Sequence, residues 1–206
     1  DLCHEHIAYG TLNDSEGNPF KTREGGTKPL SELFDETYNY IKNINNELDD
    51  STIIQLTNSV LTFSDLITNR KTDYKFDLEK FTNVNGKTGI YVQYSQVRAK
   101  KLVDTIKNQN KKIKELIINK TDKQLLSKLF LFSYYLEQSA LLNEPHHLAN
   151  YLYEISNLFN QFYENEKLSS ITDPNHIASK LYIANLFLTT SHNTMFCLGL
   201  VPVNEM

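Results

Sequence analysis

The sequence predicts a mainly α-helical protein, an antiparallel helix bundle preceded by a short strand-and-loop segment. Three observations carry this reading. From Leu30 onward, apolar residues recur at spacings of three and four, the period of a helix that buries one face. Asp-Asp-Ser, Glu-Pro and Asp-Pro steps stand where these stripes begin, and such residues suit a helix start. Residues 1–29, by contrast, hold four of the seven glycines and two of the five prolines, a density that reads as loop.

In chain order, a short apolar stretch over Leu2–Tyr9 predicts a strand, and a long loop follows it. Ser31 is placed to cap a helix, with Glu32 and Asp35 in the first turn where the helix dipole favours acids. Asp49-Asp50-Ser51 predicts the cap of a second helix reaching about Leu66. Asn69–Gly89 breaks the periodicity, and its last seven residues are turn-like. Four longer helices are then expected. Their stripes are Leu102, Ile106, Ile113 and Ile117; then Leu125, Leu129, Phe132 and Leu136; then Leu148, Leu152, Ile155, Phe159 and Phe162; then Ile177, Leu181, Ala184 and Leu188. Glu144-Pro145 opens the third of these and Asp173-Pro174 the fourth. Such stripes must cover one another to leave water, which makes a bundle the expected architecture.

The 206 residues are 40% apolar, enough for one well-cored domain and an appendage. Charged residues make up 22% and nothing is low-complexity, which argues against a disordered chain. No stretch approaches the roughly 20 apolar residues of a membrane span. Two cysteines, Cys3 and Cys197, point to a reducing, cytoplasmic setting. The net charge of −4 argues against a simple basic nucleic-acid binder, yet the charge is segregated. Between Arg98 and Lys128 there are ten Lys/Arg against three acids, while residues 129–206 hold two lysines against seven acids. Segregation of this kind steers a polyanion to one face even when the total is acidic; a solvated helix face accounts for the lysines as well. The chain opens on Asp1 inside an expected strand, as though cut from a longer protein.

Four blocks, in order, carry a family resemblance. The first is Gly10-Thr11-Leu12 followed by Gly17-Asn18-Pro19-Phe20-Lys21-Thr22-Arg23-Glu24-Gly25-Gly26. The second is Ser64-Asp65-Leu66, Asn69-Arg70 and Asp73-Tyr74-Lys75-Phe76-Asp77. The third is Gly86-Lys87-Thr88, then Tyr91-Val92-Gln93-Tyr94 with Arg98. The fourth is Glu144-Pro145-His146, Tyr151-Leu152-Tyr153, Phe159-Asn160 and Phe162-Tyr163, closed by Leu198-Gly199-Leu200 and Glu205-Met206. Together they resemble the C-terminal part of arginyl-tRNA synthetases, class I aminoacyl-tRNA synthetases. The resemblance implies that residues 1–48 end a Rossmann-type catalytic domain and that residues 49–206 form its helical anticodon-binding domain. It implies an arginine–tRNA ligase of protein biosynthesis, using ATP (with Mg), L-arginine and the tRNA for arginine. A cytoplasmic monomer with no membrane contact is expected.

Each block has its chemistry. Pro19–Arg23 occupies the place of the class I signature loop, where cations stabilise the charge that builds on pyrophosphate as an adenylate forms. Lys21 and Arg23 are its cations here, on the ATP-phosphate side; Thr22 stands where a second lysine is usual. Tyr91, Tyr94 and Arg98 lie at i, i+3 and i+7, close to one helix face. Aromatic rings stack on unpaired loop bases and guanidinium forks meet phosphate, and in the family these positions meet the anticodon stem-loop. Tyr163 and the terminal Met206 match an anticodon-base pocket there, although Val203-Asn204-Glu205-Met206 departs from the family's Pro-Glu-x-Met tail. Core tyrosines with locally satisfied hydroxyls are the competing explanation for any one of the twelve Tyr.

No metal site is expected. Of Cys3, His4 and His6, adjacent residues on a strand point to opposite faces, and no second cluster completes a four-ligand set. His146-His147 reads as structural. The His-x-Gly-His-type ATP motif does not occur in these residues, so the chain alone is expected to bind no ATP and form no arginyl-adenylate. The alternative function is a non-enzymatic helical module for protein partners.

Overall fold

The structure is a computed structural model that describes residues 4–13, 29–75, 77–106, 115–165 and 170–206. Its elements are β1 (Leu12–Asn13), α1 (Leu30–Ile44), α2 (Asp50–Leu66), β2 (Tyr74–Lys75), α3 (Leu78–Phe81), α4 (Gly89–Ile106), α5 (Lys120–Leu129), α6 (Phe132–Leu142), α7 (His146–Asn165) and α8 (Pro174–Cys197). The expected helix bundle is present.

Capping decides several of the helix starts. Asp49 accepts from the Thr52 N–H and opens α2, and Asp173 accepts from the Asn175 N–H and opens α8, as the sequence predicts. Asn119 and Asp122 form a reciprocal capping box at the start of α5. α1 differs from expectation: it begins at Leu30 behind Pro29, with no side-chain cap, and Ser31 lies inside its first turn. Pro29, fixed at φ −60, already sets the chain direction there. At the far end of α8, Gly199 takes φ 72, and the Leu200 and Gly199 N–H groups donate to the Met195 and Phe196 carbonyls. This six-to-one and five-to-two pattern turns the chain back as a C-terminal tail.

Three further expectations are corrected. The strand over Leu2–Tyr9 does not form over residues 4–9, for which the described residues offer no neighbouring strand. The Arg70 carbonyl accepts from the Gly10 N–H and its guanidinium donates to the Ala8 carbonyl, and among the described residues pairing is confined to a parallel contact of Leu12 with Tyr74 and Asn13 with Lys75. The helix bearing Leu102 and Ile106 does not reach Ile117, which lies in irregular chain ahead of the α5 capping box. The stripe from Leu125 to Leu136 is divided between α5 and α6. There the buried Tyr151 hydroxyl donates to the Leu129 carbonyl at 3.1 Å, engaging it from outside the helix where the ladder ends.

Two apolar clusters hold the bundle. The larger joins α4, α5, α7 and α8 through residues such as Val92, Leu125, Leu152, Phe159, Ile183 and Phe187, with Phe159 and Phe187 stacked at 4.2 Å. The smaller joins Ile41 of α1, Ile53, Leu56 and Val60 of α2, Ile90 and Val97 of α4, and Val203 of the tail. Because α4 contributes to both, one of its sides is left to face α7 along a polar seam.

Candidate nucleic-acid interface

The seam between α4 and α7 is built from matched periodicities. On α7, Asn150, Tyr153, Asn157, Asn160 and Glu164 follow one another at spacings of three and four, as do Lys87, Tyr91, Tyr94 and Arg98 along the start and body of α4. Thr88 accepts from the Tyr91 N–H, so the first turn of α4 is fixed just where the seam begins. At that end the Lys87 ammonium donates to Asn150 at 2.9 Å and lies 5.5 Å over the Tyr153 ring. The Tyr153 ring is 5.5 Å from that of Tyr91, whose hydroxyl donates to Asn157 at 3.3 Å. Burial pushes the Tyr91 phenol above its ordinary pKa, so the hydroxyl remains protonated and a donor.

At the other end sits Arg98. Its guanidinium carbon lies 5.0 Å from the centre of the Tyr94 ring and 4.3 Å from that of Tyr163. Two aromatic faces therefore hold one planar cation, an arrangement that favours arginine over lysine. One terminal nitrogen of Arg98 donates to Asn160 at 3.0 Å and to Glu164 at 3.2 Å. The buried Asn160 amide in turn donates to the Ser95 hydroxyl at 2.9 Å. Arg98 is thus built into the site, while Tyr94 stays 38% exposed and presents ring surface outward.

Tyr94 has a second neighbourhood. It lines an apolar cleft of about 230 Å³ together with Ile41, Ile44, Leu48, Leu56 and Met206. Met206 therefore shares the cleft with Tyr94, while Tyr163 is related to Tyr94 through Arg98. Tyr91, Tyr94, Arg98 and Tyr163 come together along the seam. Lys21 and Arg23 lie outside the described residues.

Sequence reasoning gave no site role to Tyr153, Asn157, Asn160, Glu164 or the buried Gln93, although Gln93, Tyr153 and Asn160 stand in the family-like blocks. The signal for the α7 residues was the polar stripe itself, running beside an apolar one on the same helix. Elsewhere, ligand-type atoms of Glu144, His146 and His147 come within 4.8 Å of one another. Both carboxylate oxygens of Glu144 already have partners: Lys71 at 3.3 Å and His147 at 3.2 Å.

The family described as the DALR anticodon binding domain matches residues 92–206, more than half of the chain. The chain belongs to the DALR anticodon-binding family. Ahead of the DALR match, residues 2–78 match the catalytic domain of class I tRNA synthetases of the arginine type. Relatives carry the name arginine–tRNA ligase. That of Francisella tularensis subsp. novicida is 40% identical over 170 residues, covering 78% of this chain and 29% of the relative. That of Stutzerimonas stutzeri is 32% identical over 215 aligned positions, covering 98% and 37%. This DALR chain spans about a third of the length of the curated relatives it matches. Among solved structures, the Thermus thermophilus arginyl-tRNA synthetase superposes with a TM-score of 0.82 at 20% identity, covering 98% of this chain and 35% of that one. The Plasmodium falciparum arginyl-tRNA synthetase does so at 0.74 and 21%, with the same coverage. These likenesses establish the shared fold. A non-enzymatic protein-interaction module finds no support in them.

Proposed function

We propose that this chain is the tRNA-reading end of an arginine–tRNA ligase, and that the α4–α7 seam and the adjoining cleft receive the unstacked bases of the anticodon loop. The observation that carries the reading is the Tyr94–Arg98–Tyr163 stack beside the Met206 cleft. Bases in a single-stranded loop have apolar faces and charged linkers. Exposed tyrosine faces take the first, and a cation held among them attracts the second. Tyr94 offers a stacking face, Met206 lines an apolar slot, Arg98 supplies charge, and Tyr91 completes the seam with Tyr153.

The whole protein's chemistry belongs to this reading as well. Lys21 and Arg23 are proposed to meet the phosphates of ATP, the co-substrate bound with Mg, in a reaction that joins L-arginine to its tRNA. Their support is the signature-type loop and the catalytic-domain match that spans it. Residues 1–48 are proposed as the end of the catalytic portion and 49–206 as the anticodon-binding portion. That division is one of sequence rather than of packing, since Ile41 shares a core with α2, α4 and the tail. A cytoplasmic monomer completes the proposal.

The test is the affinity of the tRNA for arginine for the chain and its variants. Tyr94→Ala and Tyr163→Ala should each weaken binding by roughly 5- to 150-fold, the range of a lost base–aromatic stack of about 1–3 kcal/mol. Tyr94→Phe, which keeps the face, should bind as the parent does. Unchanged affinity in both alanine variants would remove the seam from tRNA recognition.

A further inference from the structure

Gln93 is fully buried, and all of its hydrogen-bonding groups point at other segments. Its amide nitrogen donates to the Ser59 hydroxyl of α2 at 2.7 Å and to the Val201 carbonyl of the tail at 2.7 Å. Its amide oxygen accepts from the Val203 N–H at 3.0 Å. One side chain on α4 thereby binds α2 and both ends of the Val201–Val203 stretch. The approach that allows this is set four residues earlier, where a Cβ on Gly89 would collide with the Ser59 carbonyl. Val203, 2% exposed, packs into the core of α1, α2 and α4, and Lys100 reaches Asn204 from the next turns of α4.

The tail that Gln93 holds is the one that ends at Met206 in the cleft beside Tyr94. We propose that Gln93 is the positioning residue of the site, whose buried amide fixes the C-terminal tail and so sets the Met206 side chain in the cleft. The primary amide suits the task because it donates and accepts at once, and both tail groups are backbone atoms that lack ladder partners. An apolar residue of similar size would leave the Val203 N–H and Val201 carbonyl buried and unpaired, which favours release of the tail. Gln93 touches no ligand in this scheme. The consequence for binding rests on the reading of the cleft given above, and the position of Met206 does not.

The chain has two methionines, which makes the proposal directly observable. Met195 is fully buried in the larger core, and Met206 is at the tail end. In the chain labelled at the methionine methyls, two resonances report fold and tail separately. In Gln93→Leu, the Met206 methyl should move to the position of a solvent-exposed methionine and lose its contacts within the cleft, while Met195 stays. A Met206 resonance that keeps its place and contacts overturns the proposal. Should Met195 move too, the deciding variant is Gln93→Met, which keeps an unbranched side chain of similar length and removes its donor and acceptor. It should release Met206 with Met195 unmoved, and an unmoved Met206 again overturns the proposal.

Titration with the tRNA for arginine adds the second arm. Gln93→Leu should weaken binding by the same factor as removal of Met206, and the two changes together should weaken it no further. Independent, multiplying losses would make Gln93 a general scaffold residue and overturn its link to Met206. If removal of Met206 leaves affinity unchanged, the reading of the cleft fails while the methyl resonances still decide the role of Gln93.

Discussion

The Arg98 guanidinium lies over the Tyr94 and Tyr163 rings, and one of its nitrogens donates to Asn160 and Glu164. Arg98→Lys should lower the free energy of unfolding in urea by about 1 kcal/mol, because an ammonium cannot stack between two rings. Glu164→Gln should change it by well under 1 kcal/mol, since the carboxylate is 66% exposed and its ion pair is screened. The spacing of Tyr91, Tyr94 and Arg98 was legible in the sequence, as one face of one helix. Their partners on α7 were not, because the register between two helices is a tertiary property. A second expectation at this scale concerns His146. Burial and the neighbouring His147 hold its pKa below the ordinary 6.5, so the folded state keeps it neutral while the unfolded chain takes up a proton from about pH 6.5 downward. The unfolded state then binds more protons, and stability falls as pH drops through that window. The melting temperature should decline between pH 7 and 5, and His146→Asn should flatten that decline.

Between elements, a buried ion pair joins α5 to α8. The Lys180 ammonium donates to both Asp122 oxygens at 2.8 and 3.0 Å, with side chains 2% and 0% exposed. It also lies 5.1 Å from the Phe162 ring centre. Lys180→Met leaves a buried carboxylate without its counter-charge and should cost about 3–5 kcal/mol by equilibrium unfolding. Adding Asp122→Leu should recover most of that loss, apart from the capping bond of about 1 kcal/mol that Asp122 helps make at Asn119. The starts of α2 and α8 were readable because a capping aspartate is a local signal. The division of α5 from α6 at Phe130 and Leu131 was not, for it involves neither glycine nor proline and coincides with a hydroxyl brought in from α7. The expected strand at Leu2–Tyr9 failed for a related reason: a strand is completed by its neighbour, and apolar content alone does not supply one.

For the whole molecule, the net charge of −4 leaves room for the proposed polyanionic ligand because the basic residues are segregated along the sequence. In sequence the basic stretch from Arg98 to Lys128 begins at the seam's arginine, and the cleft is lined by chain from both family matches: Ile41 and Leu56 from the first, Tyr94 and Met206 from the second. Residues far apart in the chain thus line one cleft, which no single sequence block displays. The most direct measurement is a titration of the chain with an isolated anticodon stem-loop of the tRNA for arginine across a series of salt concentrations. Binding should be detectable, weaken with salt along a log–log slope steeper than about −2, as three or more neutralised phosphates require, and fall when the loop bases are replaced. A stem-loop that does not bind, or binds equally well with any loop sequence, would contradict the assignment of this surface to anticodon reading.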